Sequence, residues 1–283
     1  MTPASAGRKS FVKAGWDLFR ATHPEPVLAV TAGVAVLCYA AGRGATTLWA
    51  VLAIFSGQLF TGWVNDLVDL EQDRAAGRAD KPLVSGDASP EAARLAALVA
   101  LALCVPLSLA NGLVAGACHL LAVAAAFAYN LRLKATPYSV LPYALAFGLI
   151  PAFVSFGLPR PHAPPLWATA AAALLGSGAH FTQVLPDIES DRRLGMRALP
   201  DLLGRLPSLI CAAALVGAGF LMVALRLERQ AQLVLGGLEA LLLAALVSAG
   251  IARRERLAFR LTLAAAGVAA LAFLGEGQAL GQA

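Results

Sequence analysis

Apolar residues fall in nine long blocks separated by short polar stretches, at about 25–42, 46–66, 92–110, 112–130, 139–158, 165–186, 207–227, 231–251 and 257–279. Each block is roughly 18 residues or longer, the length a helix needs to cross the apolar layer of a bilayer. The pattern predicts an all-α integral membrane protein with about nine transmembrane helices in a bundle. No stretch has the composition of a linker between two soluble domains. The chain is therefore read as a single polytopic membrane domain over residues 1–283.

Composition supports this. Residues are 59% hydrophobic and only 14% charged, with a mean hydropathy of +0.71. A soluble domain carries about a quarter charged residues. With the N-terminus on the cytosolic side, 18 of the 22 Lys and Arg fall in cytosolic segments, Arg8 and Lys9 among them. The other four are Arg43, Arg160, Arg226 and Arg229. This is a strong positive-inside bias. It accounts for the net charge of +5 through anionic lipid headgroups and requires no nucleic-acid partner. Cys38, Cys104, Cys118 and Cys211 all lie within apolar blocks with no CxxC spacing, which indicates neither a disulfide framework nor a zinc site. The first apolar block lacks a small-residue cleavage site and reads as a retained helix. The expected location is a bacterial plasma membrane.

Two acidic segments stand out against this background. Asn65, Asp69 and Asp73 recur as Gln183, Asp187 and Asp191 at an offset of 118 residues. The frame continues through Arg74 and Arg192, Gly77 and Gly195, Pro82 and Pro200, and Gly86 and Gly204. The offset spans four predicted helices, so both motifs return to the cytosolic side. It suggests two related halves, about 25–135 and 139–255, with one further helix. On a helix, residues at i, i+4 and i+8 share one face. Two such faces meeting at a cytosolic opening bring several carboxylates around one cavity. Divalent metal relieves their repulsion, and Mg²⁺ prefers a few carboxylates together with phosphate oxygens. Cations follow each motif: Arg74, Arg78 and Lys81 after the first, Arg192 after the second, with Arg132 and Lys134 in the loop between. They suit an anionic ligand held through metal to the acids.

At this point the sequence resembles a known family. Asn65-Asp66-x-x-Asp69-x-x-x-Asp73, followed by Lys81-Pro82-Leu83-Val84-Ser85-Gly86, is similar to the first motif of the UbiA superfamily of intramembrane prenyltransferases. Gln183-x-x-x-Asp187-x-x-x-Asp191 is similar to the second, and Tyr129 to Lys134 resembles the family's Tyr/Lys segment. Two departures stand out: Gln183 replaces the usual Asp or Asn, and Lys134 lies five residues after Tyr129. The resemblance implies an enzyme that transfers a prenyl group from an isoprenoid diphosphate to a hydrophobic acceptor, aromatic by default, through an allylic carbocation. It implies Mg²⁺ held by Asn65, Asp66, Asp69, Asp73, Gln183, Asp187 and Asp191. Asp69, Asp73, Asp187 and Asp191 would be the catalytic acids. Arg74, Arg78, Lys81, Tyr129, Arg132, Lys134 and Arg192 would bind the diphosphate, and membrane lipid would surround a central cavity that opens to the cytosol.

Two other readings exist. Internal capture of the carbocation would make the protein a membrane terpene cyclase. Repeated halves with acids at a membrane opening also suit a cation transporter or a lipid-binding protein. Elsewhere, Trp16, Trp49, Trp63 and Trp167 lie near predicted helix ends and read as an interfacial belt. Phe147, Phe153, Phe156 and Phe181 are candidates to line a chain pocket. His119 reads as structural, and Arg253, Arg254 and Arg256 as topogenic.

Overall fold

The computed structural model describes the backbone of residues 3–281 and the side chains of residues 12–274, so Arg8 and Lys9 lie outside the described side chains. The described chain is helical throughout: α1 (Pro3–Arg20), α2 (Pro24–Ala40), α3 (Thr47–Ala75), α4 (Pro82–Ser85), α5 (Pro90–Leu109), α6 (Leu113–Leu131), α7 (Leu141–Gly148), α8 (Ile150–Phe156), α9 (Leu166–Val184), α10 (Ile188–Arg193), α11 (Leu199–Leu203), α12 (Arg205–Ala224), α13 (Arg229–Ile251) and α14 (Glu255–Gly281). Short 3₁₀ turns precede α3 and follow α6.

Every apolar block is helical, but only six helices among the described residues are long and apolar enough to span a membrane unaided. The other three blocks depart for identifiable reasons. Helix α2 has 17 residues and bends by 79° from the end of α1. The fifth block breaks into α7 and α8, with Pro151 in the first turn of α8. Helix α9 carries Ser177, His180, Thr182 and Gln183, which lower its hydropathy. The expected nine spans therefore do not follow from length and apolarity alone. Leu95, Leu98, Leu113, Leu166, Leu233 and Leu241 project outward and more than half exposed, as an outer surface in contact with lipid requires. This is an integral membrane protein.

Length places the first motif. Helix α3 has 29 residues, about 43 Å at 1.5 Å per residue. That exceeds the ~30 Å hydrocarbon layer, so its last turns carry Asp69 and Asp73 out of the apolar zone. Gly77, at φ 68, then reverses the chain. Leu83 and Ala88 beyond it are buried in the same cluster as Leu70 on α3 and Ala93 on α5, which fixes the loop that bears Lys81. Helix α5 starts with a side-chain cap: Ser89 accepts a hydrogen bond from the Ala92 amide at 3.0 Å, and Pro90 and Glu91 occupy the first turn.

The second motif is not one helical face, contrary to the spacing argument. Helix α9 ends at Val184 and α10 starts at Ile188. Pro186 supplies no N–H to the ladder, and its ring clashes with the carbonyl four residues back, so the chain turns there. Val184, Leu185 and Ile188 anchor the turn against Leu209 of α12 and Leu246 of α13. Beyond α10 the chain echoes the first half. After each motif a short helix carries a proline in its first turn and ends at a glycine of positive φ: α4 at Gly86 (φ 83) and α11 at Gly204 (φ 87).

The tryptophans divide. Trp16 and Trp49 are exposed as a belt requires, whereas Trp63 is only 8% exposed. Its indole N–H donates to the Leu18 carbonyl at 2.8 Å, which pins α1 onto α3. Trp167 stacks on Phe273 of α14 with Arg226 over its face.

Candidate active site

Two cavities lie end to end inside the bundle. The first is apolar and runs between α2, α3, α6, α7, α8, α9 and α14. Along α3 it extends from Ile54 to Asn65, about 16 Å. Phe147 and Phe153 line it, as do His119 and Tyr143, whereas Phe156 and Phe181 do not. The second is polar and lies where α3 and α9 end and α14 begins, walled by Asp69, Asp73, Arg78, Lys81, Lys134, Asp187 and Asp191. Both cavities are bordered by His23, Asn65, Tyr129, Gln183 and Phe259. These five side chains form a ring through which a charged chamber opens into an apolar one.

Each first-motif acid has a cationic partner from another segment. Asp69 accepts from Asn65 at 3.2 Å and forms a close ion pair with Lys134, the lysine that lies five residues after Tyr129. Asn65 in turn donates to the Asn130 side-chain oxygen, and Asn130 to the Thr61 carbonyl, tying α6 to α3. Asp66 is 2% exposed; its Oδ1 lies 3.0 Å from Lys81 Nζ and 3.0 Å from His23 Nε2. Lys81 also donates to Asp73 at 2.7 Å. Burial works against the charged form of Lys81, yet Asp66 and Asp73 outweigh it and hold its pKa above the ordinary lysine value.

The second motif faces these groups across the chamber. Arg78 Nη1 donates to Asp187 at 2.9 Å, and Tyr143 donates to the Gln183 side-chain oxygen at 2.7 Å. Asp191 receives no side-chain donor among the described residues. Burial, with repulsion from Asp187, Asp201 and Asp69, pushes its carboxyl up to about 7. An acid in this state gains most from an added cation. The donor set is all hard oxygen, which suits Mg²⁺. Among the described residues no three acidic, His or Cys side chains form a metal cage. A bound Mg²⁺ would therefore complete its sphere with substrate phosphate oxygens and water, its usual preference. The residues present fit that ion.

The spatial sorting of the expected residues is uneven. Asn65, Asp69, Asp73, Gln183, Asp187 and Asp191 all line the polar chamber, as do Arg78, Lys81, Tyr129 and Lys134. Asp66 lies behind the wall, and Arg74, Arg132 and Arg192 are not among the lining residues. Arg74 pairs with Glu71 at 2.7 Å, and Arg192 donates to the Asp201 and Leu202 carbonyls, folding the loop after the second motif. Sequence reasoning missed His23, Tyr143, Asp80, Arg256 and Phe259. The one local signal for His23 is its place before Pro24, where a helix ordinarily ends; its left-handed backbone (φ 58) belongs to the folded chain. Nothing local marks the others. His180 is fully buried and pairs with Ser139 at 3.0 Å, packed against Tyr129 and Tyr143 as a support.

Comparison with known proteins agrees with this architecture. Residues 27–256 match the model of the UbiA prenyltransferase family. The digeranylgeranylglyceryl phosphate synthase of Archaeoglobus fulgidus is 31% identical over 210 residues, 69% of this chain and 68% of that protein. The synthase of the same name from Methanopyrus kandleri is 32% identical over 144 residues, 50% of this chain and about half (52%) of that protein. The apo structure of a UbiA homologue from Aeropyrum pernix K1 superposes with TM-score 0.70 at 21% identity, over 90% of this chain and 97% of that one. A UbiA homologue from Archaeoglobus fulgidus bound to GPP and Mg²⁺ gives TM-score 0.65 at 21% identity, over 94% of this chain and 100% of that one. Paired acidic motifs at the mouth of an apolar helical cavity, and a family match over most of the length, lead to one conclusion: the chain belongs to the UbiA prenyltransferase family.

Proposed function

We propose that this protein transfers a prenyl group from an isoprenoid diphosphate to a hydrophobic acceptor, with Mg²⁺ in the polar chamber. The observation that carries this is the continuity of the two cavities at the ring of His23, Asn65, Tyr129, Gln183 and Phe259. A diphosphate in the charged chamber with its chain in the apolar cavity puts the allylic C–O bond at that ring. Mg²⁺, when bound, supplies positive charge to the diphosphate oxygens. Lys81, Lys134 and Arg78 then turn from the motif acids to the leaving diphosphate as it takes the bonding electron pair. Tyr129 and Tyr143, stacked edge to face at 5.1 Å, present aromatic surface to the allylic cation. The apolar walls keep out the water that would quench it. A nucleophilic atom of the acceptor forms the new bond to the allylic carbon and releases a proton.

The Archaeoglobus fulgidus and Methanopyrus kandleri relatives are named for a product that is a glyceryl phosphate carrying two prenyl chains. Their names favour a prenylated glyceryl phosphate as acceptor over the aromatic ring that is the default from sequence. The domain reading is a single membrane unit of two related halves and a final helix, with nine spans and with the N-terminus and chamber cytosolic. The matched short helices after each motif support the repeat.

The test incubates the purified full-length chain with labelled prenyl diphosphates of several lengths, with Mg²⁺ or EDTA, and with aromatic and glyceryl phosphate acceptors. Mg²⁺-dependent formation of a prenylated acceptor is expected. A cyclised product from donor alone would favour the terpene cyclase, which the aromatic lining also suits. Metal-dependent ion flux without diphosphate release would favour a transporter.

A further inference from the structure

Among the described residues, the chamber holds one cation that the two acidic motifs do not use. Lys134, Lys81 and Arg78 each pair with a motif acid. Arg256, in the first turn of α14, lines the same chamber, but its partner is Asp80, which belongs to neither motif. Asp80 sits between two guanidinium groups from separate elements: Arg78 Nε lies 3.4 Å from its Oδ1, and Arg256 Nη2 lies 2.9 Å from its Oδ2. A carboxylate gripped at both oxygens by two arginines is an internal anion in a site shaped for an anion. The turn before α14 holds Arg256 over the chamber. Arg253 adopts φ 56, a left-handed conformation unusual for arginine, and pairs with Glu189 of α10 at 3.3 Å. Arg260 grips Glu25 at the start of α2 with three contacts of 2.6–3.1 Å.

The position on α14 is informative. Phe259 borders the ring between the cavities, and Arg256 lies three residues before it, about one helical turn or ~5 Å nearer the mouth. That distance is comparable with the reach across a three-carbon glyceryl unit. A hydroxyl at the ring and a phosphate at the mouth would satisfy both places at once.

We infer that Arg256 and Arg78 form a second anion subsite at the chamber mouth for the phosphate monoester of a prenylated glyceryl phosphate acceptor, and that Asp80 occupies this subsite until the acceptor displaces it. This rests on the prenyl-transfer reading of the chamber. The donor diphosphate keeps Lys81, Lys134, the metal and the Nη1 end of Arg78 that pairs with Asp187, and the acceptor phosphate takes Arg256 together with the Nε edge of Arg78 that pairs with Asp80. Asp80 then acts as an internal competitor that offsets one of the two positive charges while the subsite is empty.

The test measures KM for acceptor and donor separately in the full-length chain in lipid nanodiscs. The probes are geranylgeranylglyceryl phosphate, its dephosphorylated alcohol and geranylgeranyl diphosphate with Mg²⁺. Arg256→Gln should raise KM for the phosphate acceptor about tenfold or more, with donor KM unchanged. Arg256→Lys should recover part of that loss, and Asp80→Asn should lower acceptor KM. The wild type should use the alcohol far less well than the phosphate, and Arg256→Gln should narrow the gap. An unchanged phosphate-acceptor KM in Arg256→Gln, or an equal rise for donor and acceptor, overturns the subsite. A wild type that binds phosphatidic acid through Arg256 but does not turn over the glyceryl phosphate gives the site to a bulk lipid headgroup and overturns the acceptor assignment. Mg²⁺-dependent binding of the thiodiphosphate analogue of the donor is followed in parallel by thermal shift. Its absence from the wild type would remove the prenyl-transfer reading itself, whereas its presence isolates any failure to the subsite.

Discussion

Arg78 Nη1 lies 2.9 Å from Asp187 Oδ1 and so joins the loop after the first acidic motif to the turn of the second. The two residues are 109 positions apart, in different halves of the chain. Their contact joins the two motifs across the chamber, and the proposed function requires it to open when substrate and metal claim both groups. An ion pair this open to solvent adds little stability. Its consequence is to keep two groups of opposite charge poised at one place.

Removing acids on either side of that contact should stop turnover without unfolding the protein. Asp69→Ala and Asp187→Ala are each expected to abolish prenyl transfer, since each removes a hard oxygen ligand that a neighbour cannot replace. Both should insert and purify as the wild type does. Full activity in both variants would contradict the assigned roles. EDTA should reproduce the loss, and added Mg²⁺ should reverse it.

Lys81 is expected to be structural as well as functional. It is the shared partner of Asp66 and Asp73, and Asp66 is 2% exposed. Lys81→Gln leaves a buried carboxylate with only His23 as partner, at a cost of about 3–5 kcal/mol. A clear fall in Tm in detergent checks this, with Lys81→Arg expected to recover part of it. An unchanged Tm would mean that the network does not hold the loop.

Pro186 should matter for geometry more than for stability. Pro186→Ala restores an N–H and permits α9 to run on into α10. Asp187 and Asp191 would then rotate with the extended helix and leave their places opposite Arg78. The expectation is a large fall in kcat with Tm equal to or above that of the wild type. Retained kcat would show that the turn is fixed by the packing of Leu185 and Ile188 alone.

The apolar cavity should set donor length. A Cβ at Gly57 would lie 3.0 Å from a Val123 methyl and 3.1 Å from the His119 ring, so a larger side chain has to grow into the cavity. Gly57→Leu should shift preference toward shorter prenyl diphosphates while Mg²⁺ dependence persists. Competition between donors of different length, read by mass spectrometry, decides it.

Several features were legible without coordinates because they depend on local chemistry. Apolar blocks of spanning length fix where helices form, and the Ser89-Pro90-Glu91 signature fixes where α5 begins. Asn65, Asp69 and Asp73 share a helical face because nothing between them breaks the ladder. The second motif shows where the same rule fails. Its spacing is identical, but Pro186 lies inside it, and a spacing argument that ignores the missing N–H draws a continuous face that is not there. Arg74 and Arg192 occupy equal places in the repeat frame, yet the first pairs locally with Glu71 and the second folds its own loop.

The sequence by itself determined a helical membrane protein, two acidic motifs on one side of it, and the kind of ligand their charges suit. These follow from hydrophobicity, helix period and charge, all readable within a few turns of chain. Only the tertiary structure decided which cations meet which acids, and that His23 and Phe259 complete the ring between the two cavities. It alone brought Arg256 from the last helix over a loop 176 residues earlier. Contacts between distant helices depend on how whole helices pack and tilt, and no local pattern encodes that sum.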